Sequence, residues 1–181
     1  MFFRRRKNDI EGDTLEELLE SANLGDRFEA LADEELPAIW LQSESAPDEA
    51  IPVGASKLGG NPDLPDGTPY PQFDGRPLLF LAQIRLADAM GLVGADALPA
   101  DGLLLFFYDQ DQPWGYSPED SDRFRVMLVD DFGLRGVAPP GNVARLPSCK
   151  LSLAQKTTIP DILSMEVEEL VLSNVESDDY V

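Results

Sequence analysis

The chain has 181 residues, with 34 acidic against 14 basic side chains, a formal net charge of −20, no histidine and one cysteine. Without histidine, neither a Ser-His-Asp nor a Cys-His nucleophile can be assembled, and a Cys/His zinc site is excluded; one cysteine rules out an internal disulfide. Hydrophobic residues at 43% and charged residues at 27% give a globular balance with enough length for one sizeable core.

The only basic run is Arg4, Arg5, Arg6 and Lys7, behind Phe2 and Phe3. It reads as a flexible basic N-terminus over residues 1–13, followed by a single domain over 14–181. Thr14 is placed to cap a helix, with Glu17 completing a capping box. Leu15, Leu18, Leu19 and Ala22 then share one helical face, and Phe28, Leu31 and Ala32 a second, which predicts short helices over 15–23 and 27–34. Ile39-Trp40-Leu41 is strand-like, and 43–50 is an acidic loop.

Residues 52–77 are dense in proline and glycine, so no regular helix survives there. Leu58, Leu64, Tyr70 and Phe73 are interleaved, which predicts an ordered loop packed on a core. Leu78 to Ile84, Gly102 to Tyr108 and Phe124 to Val129 predict three strands in an antiparallel meander, with a helical turn at 86–90. Thr158, Pro160 and Asp161 open a C-terminal helix, whose apolar stripe runs from Ile159 through Val167 to Val175. The expected fold class is α+β: N-terminal helices, a mainly antiparallel sheet bearing the long Pro/Gly loop, and an amphipathic C-terminal helix. The longest apolar runs, 78–82 and 103–108, fall far short of the roughly 20 residues a spanning helix needs. With the lone Cys149 and no visible signal peptide, a cytoplasmic protein without a membrane span is expected.

The loop chemistry is sparse. Gly59-Gly60 lacks the Gly-Lys-Ser/Thr continuation of a phosphate loop and reads as turn chemistry. Gln83 lies inside an apolar strand, so its amide must find partners, with the backbone of 59–65 as the expected source. Asp109-Gln110-Asp111 opens like a calcium loop, but Pro113 and Trp114 stand where an EF-hand needs a ligand and a glycine. A different cation site using Asp109, Asp111, Asp120 and Asp122 stays open beside a solvated acidic loop. Trp114 is a recognition aromatic or a loop plug. Cys149 lacks a histidine base and reads as an inert thiol.

Three ordered segments are Ser56-Lys57-Leu58-Gly59-Gly60-Asn61-Pro62-Asp63-Leu64-Pro65, Pro77 to Ile84, and Leu98 to Phe107. At this spacing they resemble the YwqG-like family, a bacterial domain family of unknown function, over about residues 38–130. Family members usually carry a second, echoing half and a histidine near its loop. Neither is present after Leu151, so the resemblance implies a short or C-terminally truncated member. Genes of that family tend to lie near contact-dependent toxins, which implies an immunity-type role.

The leading expectation is a non-enzymatic protein-binding module with a basic protein partner, no nucleic acid and no cofactor, because phosphates are repelled across so acidic a surface. Its candidate binding residues are Gly59, Gly60, Gln83, Asp109, Asp111 and Trp114, and no catalytic residue is assigned. The alternatives are a divalent-metal-binding protein or carboxylate-dependent hydrolase using the Asp109/Asp111 loop, and a structural remnant without activity of its own.

Overall fold

A computed structural model describes residues 14, 16–17, 20, 36–111, 117–141 and 144–158. The fold is mainly β, which corrects the α+β expectation. From Leu36 onward the described residues form ten strands joined by turns and short 3₁₀ segments, and before them Glu16, Glu17 and Glu20 are helical. They are β1 (Leu36–Ser45), β2 (Lys57–Leu58), β3 (Asp63–Pro65), β4 (Gln72–Phe73), β5 (Arg76–Pro77), β6 (Leu79–Arg85), β7 (Leu103–Tyr108), β8 (Phe124–Val129), β9 (Leu134–Gly136) and β10 (Cys149–Thr158).

Neither an N-terminal helix pair nor a C-terminal amphipathic helix is among these elements. The Thr14 capping box does form. Glu17 N–H donates to Thr14 Oγ1 at 3.3 Å, and Thr14 N–H donates to Glu17 Oε2 at 3.2 Å. The remainder of the helices expected over 15–23 and 27–34, and the stripe at 159–175, lie outside the described residues. The structure holds more strand than the sequence pattern predicts in two places. Leu151-Ser152-Leu153 alternates with period two, so 149–158 is a ten-residue strand ending at Thr158, and the helix expected to start there lies outside the described residues. The Pro/Gly segment also contributes four short strands, β2 to β5, because turns that stop a helix are compatible with brief extended pairing. Strand β1 likewise runs on to Ser45, through part of the stretch expected as loop.

The main sheet has the order β1-β10-β2-β6-β7-β8. The pairings of β10 with β2, β2 with β6, β6 with β7 and β7 with β8 are all antiparallel, so the expected three-strand meander is its right-hand half. Asp74 and Gly75 both take positive φ, +48° and +70°, and close the β4–β5 hairpin as a left-handed two-residue turn. The chain gathers into two compact units. Residues 39–154 form the larger, which holds the paired strands β2 to β9 and the core. Residues 1–38 with 155–181 form the other, where Gln155 Nε2 donates to the Ala38 carbonyl at 3.0 Å.

Alternation along β7 decides the core. Leu103, Leu105 and Phe107 are buried on one face and join Leu64, Leu78 and Phe80. Tyr70 and Phe73 from the loop, Met127 and Val129 from β8, and Leu134 from β9 close over this cluster. Tyr70 meets Phe107 edge-on, with ring centroids 5.6 Å apart. The Pro/Gly loop is therefore packed on the sheet, as its interleaved apolar residues predict.

Candidate functional site

Register places the first polar groups. Lys57 on β2 lies directly opposite Gln83 on β6, so both side chains leave the same face of the sheet, under the loop. Gln83 Nε2 donates to Asp63 Oδ2 at 2.6 Å and to the Ala55 carbonyl at 2.8 Å, while its Oε1 accepts the Asp63 N–H at 2.9 Å. Every polar atom of the buried amide thus has a partner, and the pinning role expected of Gln83 toward 59–65 is what its bonds perform.

Asp63 is the hub. Its Oδ2 also accepts the Gly54 N–H at 2.8 Å, and its Oδ1 accepts from Lys57 Nζ at 3.3 Å. Lys57 Nζ donates in addition to Asp48 Oδ1 at 3.1 Å, and Asp48 Oδ2 accepts the Asn61 N–H at 3.0 Å. The Lys57 and Asp63 side chains are only 3% and 1% exposed, whereas Asp48 is 24% exposed. Isolated, a buried ammonium costs several kcal/mol or more, so this one persists because two carboxylates hold it. Two carboxylates against one ammonium leave one negative charge, on the Asp48 side that reaches solvent. Ser56 extends the clasp: its Oγ donates to Asp88 Oδ2 at 2.7 Å and accepts the Arg85 N–H at 2.9 Å.

The two glycines let the loop come this close. Gly59 has φ +59° and Gly60 φ +70°. A Cβ on Gly59 would run into the Pro147 carbonyl oxygen, and one on Gly60 into the Asp48 carboxylate. Their N–H groups donate to the carbonyls of Leu81 and Leu146, at 2.9 and 3.0 Å.

Above the clasp lies an open cleft of ≈ 610 Å³. Asp48, Glu49, Asn61, Arg145 and Ser148 are part of its lining, with Lys57 and Asp63 at the floor. Arg145 Nη1 donates to Asn61 Oδ1 at 3.3 Å across the rim. Burial pushes the Tyr70 phenol up to about 12, against an opposing pull from Arg145, so the ring packs as a neutral group.

The acidic loop is built differently. Asp109 Oδ2 accepts from Arg123 Nε at 2.9 Å and faces Arg76 Nη2 at 3.6 Å. Asp111 Oδ2 lies 3.0 Å from Arg76 and 3.3 Å from Arg123, and Asp120 pairs with Arg123 at 3.6 Å. Arg123 also lies over the Phe73 ring, 5.5 Å from its centroid. Burial raises the Asp109 carboxyl, but the Asp111 amide and then Arg123 and Arg76 outweigh it and hold the group below the usual carboxylate range. Asp122 sits exposed in the 3₁₀ segment Pro118–Arg123. Among the described residues, no group of three or more acidic or cysteine side chains could hold a metal ion. Guanidinium groups stand where a cation ligand set would need open carboxylates.

Of the candidate binding residues, the structure brings Gly59, Gly60 and Gln83 together at the clasp, and Asp109 with Asp111 at the arginine pair. Trp114 lies outside the described residues. Sequence reasoning missed Lys57, Asp63, Asp48 and Ser56 as parts of a site. The usable signal was a lysine at the head of a short apolar strand, six residues before an aspartate in a loop that must be buried.

Fold and clasp together define a mainly β module whose ordered loop is locked to its sheet by a buried ion-pair network. The chain belongs to the family described as a domain of unknown function (DUF1963), whose profile matches residues 56–180. The match begins at Ser56, the first residue of the Ser56–Pro65 motif, and extends past the 38–130 over which the motifs are read. No curated protein matches the chain.

Proposed function

We propose that this chain is a YwqG-like binding module of the bacterial cytoplasm, non-enzymatic, with a basic protein as its partner in an immunity-type role. On this reading residues 14–181 act as one domain behind a basic N-terminal segment, 1–13.

One observation carries the reading: the polar groups of the Ser56–Pro65 motif are taken up by structural partners, Asp48, Gln83, Asp88 and Arg145 among them, while many carboxylates elsewhere stay exposed. Lys57 Nζ is already held by Asp48 and Asp63, and Gln83 has no atom to spare, so neither is poised to activate a substrate in the cleft. Glu49, Asp66, Asp74, Asp96, Asp101 and Asp131 are exposed. A surface of that kind steers a basic partner by long-range attraction and gains affinity through it. No helix among the described residues is long and apolar enough to cross a membrane.

The test is binding of a basic toxin domain at low and high salt. Affinity that falls as salt rises supports the module; affinity that is absent, or indifferent to salt, overturns it.

A further inference from the structure

Strand β8 ends the main sheet. One of its edges pairs with β7 from Tyr108↔Phe124 to Leu103↔Val129; among the described residues no strand pairs with the other edge. An open edge carries a row of unpaired N–H and C=O groups and is a template for another strand. On one face of β8 the alternating side chains Phe124, Val126 and Leu128 are 45%, 53% and 53% exposed. Natural edges are usually blunted by lysine, proline or a bulge. Here only Arg125 interrupts the apolar run, and β8 keeps an unbroken register with β7.

We propose that this edge is a docking site for an extended segment of a partner protein, with alternating apolar residues and basic flanks, which adds to the sheet as a seventh strand. Two features choose that occupant. The strand is bracketed by acids, Asp122 before it and Asp130 and Asp131 after it, all exposed. Arg123, the nearest cation upstream, is taken up by Asp109, Asp111 and Asp120. Pairing with a second copy would instead bring one net charge of −20 against another, which disfavours a homodimer through this edge. Main-chain bonds supply affinity in such an arrangement, and alternate side chains with flanking charge supply specificity. The proposal rests on the partner being basic, and it names the part of that partner that is gripped.

The test uses a labelled peptide, Lys-Lys-Val-Thr-Val-Thr-Val-Lys-Lys, and the same peptide N-methylated at all five central residues, which keeps charge and apolar surface but leaves no strand N–H to donate on either edge. Binding is followed by fluorescence anisotropy, and amide hydrogen exchange of 124–129 is measured with and without peptide. The parent peptide is expected to bind, to slow exchange in β8, and to lose at least ~10-fold in affinity with Val126→Lys. The N-methylated peptide is expected not to bind. No binding, or equal binding by the N-methylated peptide or by V126K, overturns the proposal. A dimer in sedimentation that V126K dissolves gives the edge to a second copy, and protection in the free monomer of the β8 amides that point away from β7 gives it to the chain's own residues; either overturns it. Full retention of a basic toxin domain by V126K removes the edge but leaves the binding-module reading standing. Failure of every basic protein at every salt removes that reading, while the peptide result at β8 is judged separately.

Discussion

Lys57 is the residue on which the clasp turns. Its ammonium offsets the charge of Asp63, which has almost no contact with water, and of Asp48. Lys57→Met keeps the length of the side chain but leaves those carboxylates facing each other, so it is expected to destabilise the fold by about 3–5 kcal/mol. Urea unfolding checks this: the midpoint falls while the slope stays constant. Gln83→Leu is nearly isosteric and isolates the hydrogen bonds. It strands the Asp63 N–H and the Ala55 carbonyl, each at about 1–3 kcal/mol. Gly59→Ala combines a left-handed backbone with a collision against Pro147, and a loss of about 1–3 kcal/mol or more is expected from thermal melting. Gln83 was legible beforehand, because an amide in an apolar strand must bond to something close. Lys57 and Asp63 were not, because charges six residues apart in a loop look solvated until the β2–β6 register puts them underneath it.

At the level of elements, the arginine pair ties β5 and the turn after β7 to the segment leading into β8. Asp109 has a native pKa below its unfolded value of about 3.9, so its ionised form is favoured by folding. Its contribution to stability is fully present above that unfolded value and is lost as pH falls through the lower native one. Asp109→Asn is therefore expected to lower stability at neutral pH and to flatten the acid limb of the stability profile, measured by urea midpoints across the acidic range. The same pairing predicts that calorimetry with calcium, magnesium or manganese shows no site at Asp109 and Asp111, since a cation would have to displace Arg76 and Arg123. The β4–β5 hairpin was readable from Asp74-Gly75, a dipeptide suited to positive φ at both turn positions. Gly75 within a Pro/Gly-rich stretch signals only that no helix forms there, and its role as a hairpin turn follows from the β4–β5 register. Strand β10 is carried by the period-two alternation of Leu151-Ser152-Leu153, a signal that runs directly into the helix-start residues Thr158, Pro160 and Asp161.

For the whole molecule, a charge of −20 sets both behaviour alone and behaviour with partners. Alone, the chain repels itself, and salt relieves that by shortening the Debye length from about 30 Å at 0.01 M to about 10 Å at 0.1 M. Its melting temperature is expected to rise over that range, which differential scanning calorimetry reads directly. With a basic partner the same salt acts in the opposite direction and weakens association. A chain that melts lower in added salt would mean that attractive surface networks outweigh the net repulsion.

Composition and local pattern alone determined several things here. They set the acidity, excluded histidine-dependent chemistry, placed the β6–β8 meander, and made the Pro/Gly loop an ordered one, because burial periodicity and backbone chemistry act over a few residues. Only the tertiary structure decided that Asp48, Lys57, Asp63 and Gln83 meet, that Asp109 and Asp111 face arginines, and that β8 is the last strand of the main sheet among the described residues. Those outcomes depend on strand order and register, which bring together residues far apart along the chain and which no local spacing encodes.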